Sequence, residues 1–357
     1  MLPPDPTELS SNRSTILHTG RQCANPPDRH PDLCFSDGNV VILAGNVYFV
    51  VHKGPLGRHS PVLERLLQDL PTEDTDVIND LPVLAVPYTP EDMVYFLRTL
   101  YGFPVDMVNQ DFCVTSALLK LATAYEVDNL RAEIIQRFTQ CWPKSLSQWE
   151  IREKSAVNED GVYAPRPKLP HPILIIAVAR EAGVLELLPS AFYDLSRYLP
   201  SQISNGYRDP VTLHDHRLSP DDLFRVFRGK EQTARYFSTF IVNELEGRMP
   251  SKFCLNRNEL VPARKRSCQI AFETITLSIL RDSNGMLLNH NSDPLFAISD
   301  SLAMQTKEDS PGADNNAAYR ACEACRLDYG AVVKAVREEF WRKLPEWFDL
   351  PMSDWDA

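Results

Sequence analysis

The chain has 357 residues, 43% of them hydrophobic, and a formal net charge of -11. That length suffices for one large domain or two ordinary ones with a real core, and the composition excludes overall disorder. The acidity argues against nucleic acid as a ligand, because phosphate binding is driven by clustered Lys and Arg.

Residues 1–31 are rich in Pro, Ser and Asn, and they are expected to form a flexible leader with no apolar stretch of the signal-peptide kind. Two runs rich in β-branched and aromatic residues, Val40–Leu43 and Val47–Val51, flank Ala44-Gly45-Asn46 and predict a β-hairpin. One amphipathic helix is expected over 55–70, where Val62, Leu63, Leu66, Leu67 and Leu70 recur at helical spacing. Pro71–Asp92 carries six carboxylates and no Lys or Arg, a solvated loop or a docking surface for a basic partner, with a short strand at Val83–Tyr88. Thr89 then caps a helix with Pro90, Glu91 and Asp92 in its first turn. Met93, Val94, Phe96, Leu97 and Leu100 supply its buried face, and Gly102 ends it. Helices are expected over 112–127 and 129–142, the second capped by Asp128 and stopped by Pro143.

Residues 146–170 are polar and Pro-containing, and predict a linker or long loop; 171–357 form an α-helical extension. In that half Pro172 opens a helix that Gly183 closes, Val184–Leu199 continues it, and Ser219-Pro220-Asp221-Asp222 repeats the capping logic of Thr89. Helices are expected near Ala234–Leu245, Ser267–Arg281 and Ala317–Leu344, with an acidic loop over 299–316. Trp341, Trp347, Phe340 and Phe348 are expected to anchor the last helix. The longest apolar run, Ile173–Ala179, is too short to cross a bilayer. Eight cysteines are too few for a disulfide scaffold, so an intracellular location, cytoplasmic or nuclear, is expected.

Residues 32–145 carry two motifs in order. The first is Phe49-Val50-Val51-His52-Lys53 followed by Leu56 and Ser60; the second is Phe96–Gly102 followed by Leu118–Arg131. Together they resemble a BTB/POZ domain, with His52, Lys53, Leu56 and Ser60 as its fold signature. The resemblance implies an α+β fold, a short β-sheet flanked by a helical bundle, followed here by a mostly α-helical region similar to the extensions of BTB proteins expanded in fungi. There is one departure. Family members carry Asp directly before the first strand's apolar run, where this chain has Asn39. In relatives that Asp and the basic residue after His resemble two halves of a charged pocket. Asn39 therefore leaves Lys53 without its partner, unless the chain bends so that Asp37 substitutes, and ligands of that pocket are put in doubt.

Two constellations could carry chemistry. His52 lies between a strand and Gly54 and Gly57, yet no nucleophile elbow, H-E-x-x-H or Walker-type loop accompanies it, so a structural hydrogen bond at the corner is expected. Cys322-x-x-Cys325, expected inside a helix, joins Cys254 and Cys268 as the one candidate metal set. Four thiolates could make a closed tetrahedral zinc site, while buried free thiols need no metal, so no cofactor is the base expectation with zinc as its alternative. The basic run Ala263–Ser267 and the His214-Asp215-His216 triplet are expected to be a solvated helix start and an incidental loop. No small-molecule substrate, membrane or nucleic-acid ligand is expected.

The resemblance implies a non-enzymatic protein-interaction module that homodimerises or binds other proteins. Val62, Leu63 and Leu66 are the candidate interaction surface. A narrower version is a substrate adaptor on a cullin scaffold of a ubiquitin ligase; a different class is a nuclear transcriptional regulator, or zinc-stabilised factor, without direct DNA contact.

Overall fold

The computed structural model describes residues 26–70, 77–103, 112–154, 169–210, 213–282, 293–303, 321–352 and 355. The chain divides into two compact units, Met1–Cys141 with Ala177–Val184, and Trp142–Ile176 with Leu185–Ala357. Among the described residues no helix is long and apolar enough to cross a membrane.

The first unit is mixed α and β. Strands β1 (Asp28–Cys34), β2 (Val40–Ala44), β3 (Val47–Val51), β4 (Val77–Ile78) and β5 (Leu81–Val86) form one sheet in the order β1-β3-β2-β5-β4. Among the described residues the first strand starts at Asp28 rather than near Leu33, because β1 runs parallel to β3; residues 1–25 of the expected leader lie outside the described residues. β2 and β3 form the expected hairpin, Val40 opposite Val51 and Ala44 opposite Val47, with Gly45 taking φ 55 in the turn. β5 pairs parallel to β2. Val40, Val41, Phe49 and Val51 are fully buried.

The single helix expected over 55–70 is two, α1 (Lys53–His59) and α2 (Pro61–Gln68). Ser60 between them is extended at φ -138 and ψ 112, because Pro61 lacks an N–H and disfavours a helical residue before it. Helix α3 (Pro90–Leu100) starts as expected, the Thr89 Oγ1 accepting from the Asp92 N–H at 3.2 Å, and Gly102 follows its end at φ 72. Its buried face is Met93, Phe96, Leu97 and Leu100, Val94 being only half-buried. Helices α4 (Phe112–Ala124) and α5 (Asp128–Cys141) follow. The six-carboxylate stretch lies in part outside the described residues, at 71–76.

The second unit is helical. Residues 146–154, expected as linker, form helix α6 (Leu146–Lys154), because Trp149 and Arg152 on it are buried; 155–168 lie outside the described residues. Helix α7 (Pro172–Glu181) begins in this unit, while its end, from Ala177 on, and Gly183, which takes φ 65, belong to the first. A 3-10 turn (Leu185–Leu187), α8 (Leu188–Ser196) and α9 (Pro200–Asn205) come next. Tyr207–Arg208 (β6) and Asp215–His216 (β7) then pair antiparallel.

Helix α10 (Pro220–Phe240) starts as expected at Ser219, whose Oγ accepts from the Asp222 N–H; the separate helix expected near Ala234–Leu245 is its continuation, ending in a π-turn at Ile241–Leu245. The remaining helices are α11 (Pro262–Lys265), α12 (Ser267–Asp282), α13 (Pro294–Ala303), α14 (Glu323–Arg342) and α15 (Leu344–Trp347). The acidic loop expected from Ser299 therefore starts as helix, and its remainder, 304–316, lies outside the described residues.

Phe340, Trp341, Trp347 and Phe348 are buried, as expected of anchors, and the Trp341 indole N–H donates to the Lys144 carbonyl at 2.6 Å. Phe348 packs so tightly on α10 that a Cβ at Gly229 would sit 2.0 Å from its ring. A buried ionic lattice completes this core. Arg152 pairs with Glu153 and Asp194, while Arg197 pairs with Asp194, Glu153 and Asp293. Tyr193 donates to Asp293 at 2.6 Å, and the Trp149 ring lies 4.3 Å from the Arg152 guanidinium.

Candidate functional site

In the first unit the signature residues meet at the corner between β3 and α1. The His52 N–H donates to the Tyr101 hydroxyl oxygen at 2.8 Å, and the imidazole Nδ1 lies 2.9 Å from the same oxygen. With the backbone N–H occupying that oxygen, the Tyr101 O–H is free to donate to Nδ1. The Nε2–H then points to Asp37, 3.2 Å away. Phe35 stacks on Tyr101 with ring centroids 4.9 Å apart. Burial raises the Tyr101 hydroxyl above its ordinary pKa, while the Asp37 backbone amide and the His52 ring hold the Asp37 carboxyl below its own. His52 is thus the structural joint expected of it.

Asn39 and Asp37 resolve the question of the missing acid. The Asn39 Oδ1 accepts from the Lys53 N–H at 2.8 Å, so it satisfies the first orphan donor of α1. An amide oxygen does that as well as a carboxylate. The chain does bend, in a turn where the Gly38 N–H donates to the Phe35 carbonyl at 3.2 Å, but it aims Asp37 at His52 and not at Lys53. The Lys53 ammonium forms no ion pair among the described residues.

Leu56 and Ser60 are fully buried. The Ser60 Oγ accepts from the Leu63 N–H at 2.9 Å and donates to the Tyr125 carbonyl at 2.5 Å, which ties the start of α2 to the end of α4. The candidate interaction surface is corrected. Val62 and Leu63 are 3% and 2% exposed and Leu66 is half-buried, since the apolar stripe of α2 faces its own core.

In the second unit the four predicted cysteines come together. The Sγ atoms of Cys254, Cys268, Cys322 and Cys325 lie within 4.8 Å of one another. Cys254 to Cys268 is 3.6 Å and Cys322 to Cys254 is 3.8 Å. Cys254 sits in a run of turns, its N–H donating to Ser251 and its carbonyl accepting from Arg257. Cys268 is the second residue of α12. Cys322 is not inside a helix as expected; it precedes the first turn of α14 at φ -64 and ψ 163, with Cys325 one turn on. That places the pair at a turn-to-helix junction, where free N–H groups face the sulfurs.

Backbone amides also face the sulfurs from Ser251 to Cys325 at 3.3 Å, from Leu255 to Cys322 at 3.4 Å, and from Cys322 to Cys268 at 3.2 Å. The Asn256 side-chain amide adds a further donor, to Cys268 at 3.5 Å. Burial pushes the Cys322 thiol up, but the N–H groups of Cys325 and Leu255 outweigh it and bring it down to about 7. Burial raises Cys268 and Cys325.

The set fits a thiophilic metal ion. Zinc–sulfur bonds of about 2.3 Å in a tetrahedron put the sulfurs about 3.8 Å apart, close to the Cys254–Cys268 and Cys322–Cys254 separations, with all four within 4.8 Å. A disulfide needs sulfurs about 2.05 Å apart, and all four cysteines are free. Four protein sulfurs fill a tetrahedral ion, so the arrangement suits a structural role and leaves no position for substrate.

Other features carry less chemistry. A cleft of about 230 Å³ is lined by Trp149, Glu150, Glu153, Asp293, Phe296 and Arg337 among others, and its three carboxylates are engaged by Arg337, Arg152 and Arg197. Within the His214 triplet, Asp215 and His216 form β7; the Tyr207 ring beside His216 stacks on His171, which burial lowers to about 4. The sequence places Asp37 only as a substitute partner for Lys53, and Tyr101 and Tyr125 only within the second motif; their bonds to His52 and Ser60, and Asn256 at the cysteines, are missed.

No protein-family model, curated protein or solved structure matches the chain.

Proposed function

We propose that this chain is a non-enzymatic protein-interaction module. Its first unit is of BTB/POZ type and pairs with a second copy of itself or with another protein. The observation that carries this reading is the corner at His52. There the residues that resemble the family signature are each committed to structure: His52 to Tyr101 and Asp37, Lys53 to Asn39, Ser60 to Leu63 and Tyr125. The order hairpin, two short helices, strand, three helices supports it as well. With Val62 and Leu63 inside, association by strand addition falls to the sheet edges β1 and β4. Light scattering of the full chain across a concentration series tests it. A mass of twice the chain, or a larger one with a co-purified protein, is expected; a monomer at every concentration that recovers no partner protein from its native cells overturns it.

A second reading follows from the cysteines. They hold one zinc ion in a closed four-thiolate site that braces the start of α12, the start of α14 and the turns around Cys254. When bound, the ion supplies folding stability rather than reaction chemistry. Elemental analysis of protein purified without chelators should give one zinc per chain, and its absence would dismiss the site.

A further inference from the structure

The segment that carries Cys254 has an unusual outer face. Met249, Phe253, Leu255, Leu260 and Val261 are exposed, Phe253 and Leu255 at 70% and 67% and Leu260 at 96%. Cys254 between the first pair is buried, so the turns send the thiol inward and both large neighbours out. The segment is also basic against the run of the chain. From Gly247 to Arg266 it holds Arg248, Lys252, Arg257, Arg264, Lys265 and Arg266 against the single carboxylate Glu259, in a protein of net charge -11. Arg248 is paired with Glu244 and Asp328. The other five cations form no ion pair among the described residues, and Arg264, Lys265 and Arg266 are exposed in a row beside Leu260 and Val261.

Exposed large apolar side chains gathered together mark a contact surface, and five of them fall within residues 249–261. From Glu246 to Arg266 the one buried side chain is Cys254, so the segment has no apolar core of its own. What fixes its shape is the cysteine cluster and the N–H groups of Ser251 and Leu255 that face it.

We propose that Gly247–Arg266 is a docking surface for an acidic polypeptide segment that carries large apolar side chains, held in shape by the metal at Cys254, Cys268, Cys322 and Cys325. This rests on the zinc reading above. Charge complementarity selects the partner: five cations without an ion pair among the described residues call for carboxylates, and the aliphatic Met249, Leu255, Leu260 and Val261 call for apolar side chains. Nucleic acid is disfavoured, because single strands need aromatic platforms and Phe253 is the sole one here.

The test uses the full zinc-loaded chain and a short labelled peptide in which Asp and Glu are interspersed with Leu and Phe, read by fluorescence anisotropy. Its controls are the same peptide with Lys for every acid, a duplex DNA, and phosphatidylcholine vesicles with and without phosphatidylserine. The acidic peptide should bind, and the Lys peptide should not. Combining Arg264→Glu, Lys265→Glu and Arg266→Glu should weaken binding about tenfold or more, as should Phe253→Ser with Leu255→Ser, each variant keeping one zinc per chain. Preference for DNA or phosphatidylserine vesicles, no preference for the acidic peptide, or unchanged binding by metal-loaded variants would overturn the docking surface and leave the zinc site standing. Loss of the zinc site would instead be seen as absent metal in the unmodified chain.

Discussion

Replacing Ser60 by Ala separates a buried joint from an ordinary helix cap. In the native chain the Ser60 hydroxyl accepts from the Leu63 N–H and donates to the Tyr125 carbonyl, with no exposure to water. Loss of an N-cap costs about 1 kcal/mol. Removing the donor to a buried carbonyl adds about 1–3 kcal/mol, because water cannot replace it. The total is about 2–4 kcal/mol. Thr89 is the control: its hydroxyl caps α3 in the same unit, but it is exposed, so Thr89→Ala should cost only about 1 kcal/mol. Hydrogen exchange read by mass spectrometry on segments 53–70 and 118–127 reports both changes locally, where a global melt of a two-unit chain would blur them. Ser60→Ala should lower protection in both segments together, by more than Thr89→Ala does in either. Equal losses in the two variants, or a change confined to 61–63 with none near Tyr125, would refute the joint.

Tyr101→Phe deletes the hydroxyl that the His52 N–H and Nδ1 share, and should cost about 1–3 kcal/mol by urea unfolding; a cost no larger than that of an exposed tyrosine would contradict the corner geometry. His171 is held down to about 4 from 6.5 by burial, so its folded form resists protonation. The stabilisation is full above the unfolded value of 6.5 and is lost as pH falls toward 4, by at most about 3 kcal/mol, and His171→Gln should flatten that part of the stability–pH curve. Gly229→Ala drives a methyl into the Phe348 ring and should destabilise the second unit by about 1–3 kcal/mol, with relief when Phe348→Leu is added; no relief would deny the contact.

Much of the fold is legible because its signals are local. The Gly45 hairpin, the caps at Thr89 and Ser219 and the aromatic anchors at the end of the chain each depend on a few neighbouring residues, and each forms as read. The departures have non-local or competing causes. Hydrophobic spacing runs straight through 55–70, yet Pro61 breaks it at Ser60. Residues 146–154 look polar as a linker, but Arg152 is buried against carboxylates 42 residues away at Asp194, which no local pattern can announce. At the corner, His52 and Ser60 stand in the first motif and Tyr101 and Tyr125 in the second, but their pairing is not legible, because the partners arrive from the ends of other helices. The cysteines were nameable by residue type alone. Their convergence required α12, α14 and the turns at Cys254 to meet, and the N–H donors facing them belong to those turns, at Ser251 and Leu255, and to the start of α14, at Cys322, which spacing does not encode.

X-ray absorption at the zinc edge reports directly on whether these four sulfurs share one ion. Protein purified without chelators should show one zinc per chain with four sulfur neighbours at about 2.3 Å and no lighter ligand. Chain without stoichiometric metal, in which Cys254, Cys268, Cys322 and Cys325 all react as free thiols while the helices remain folded, would contradict it.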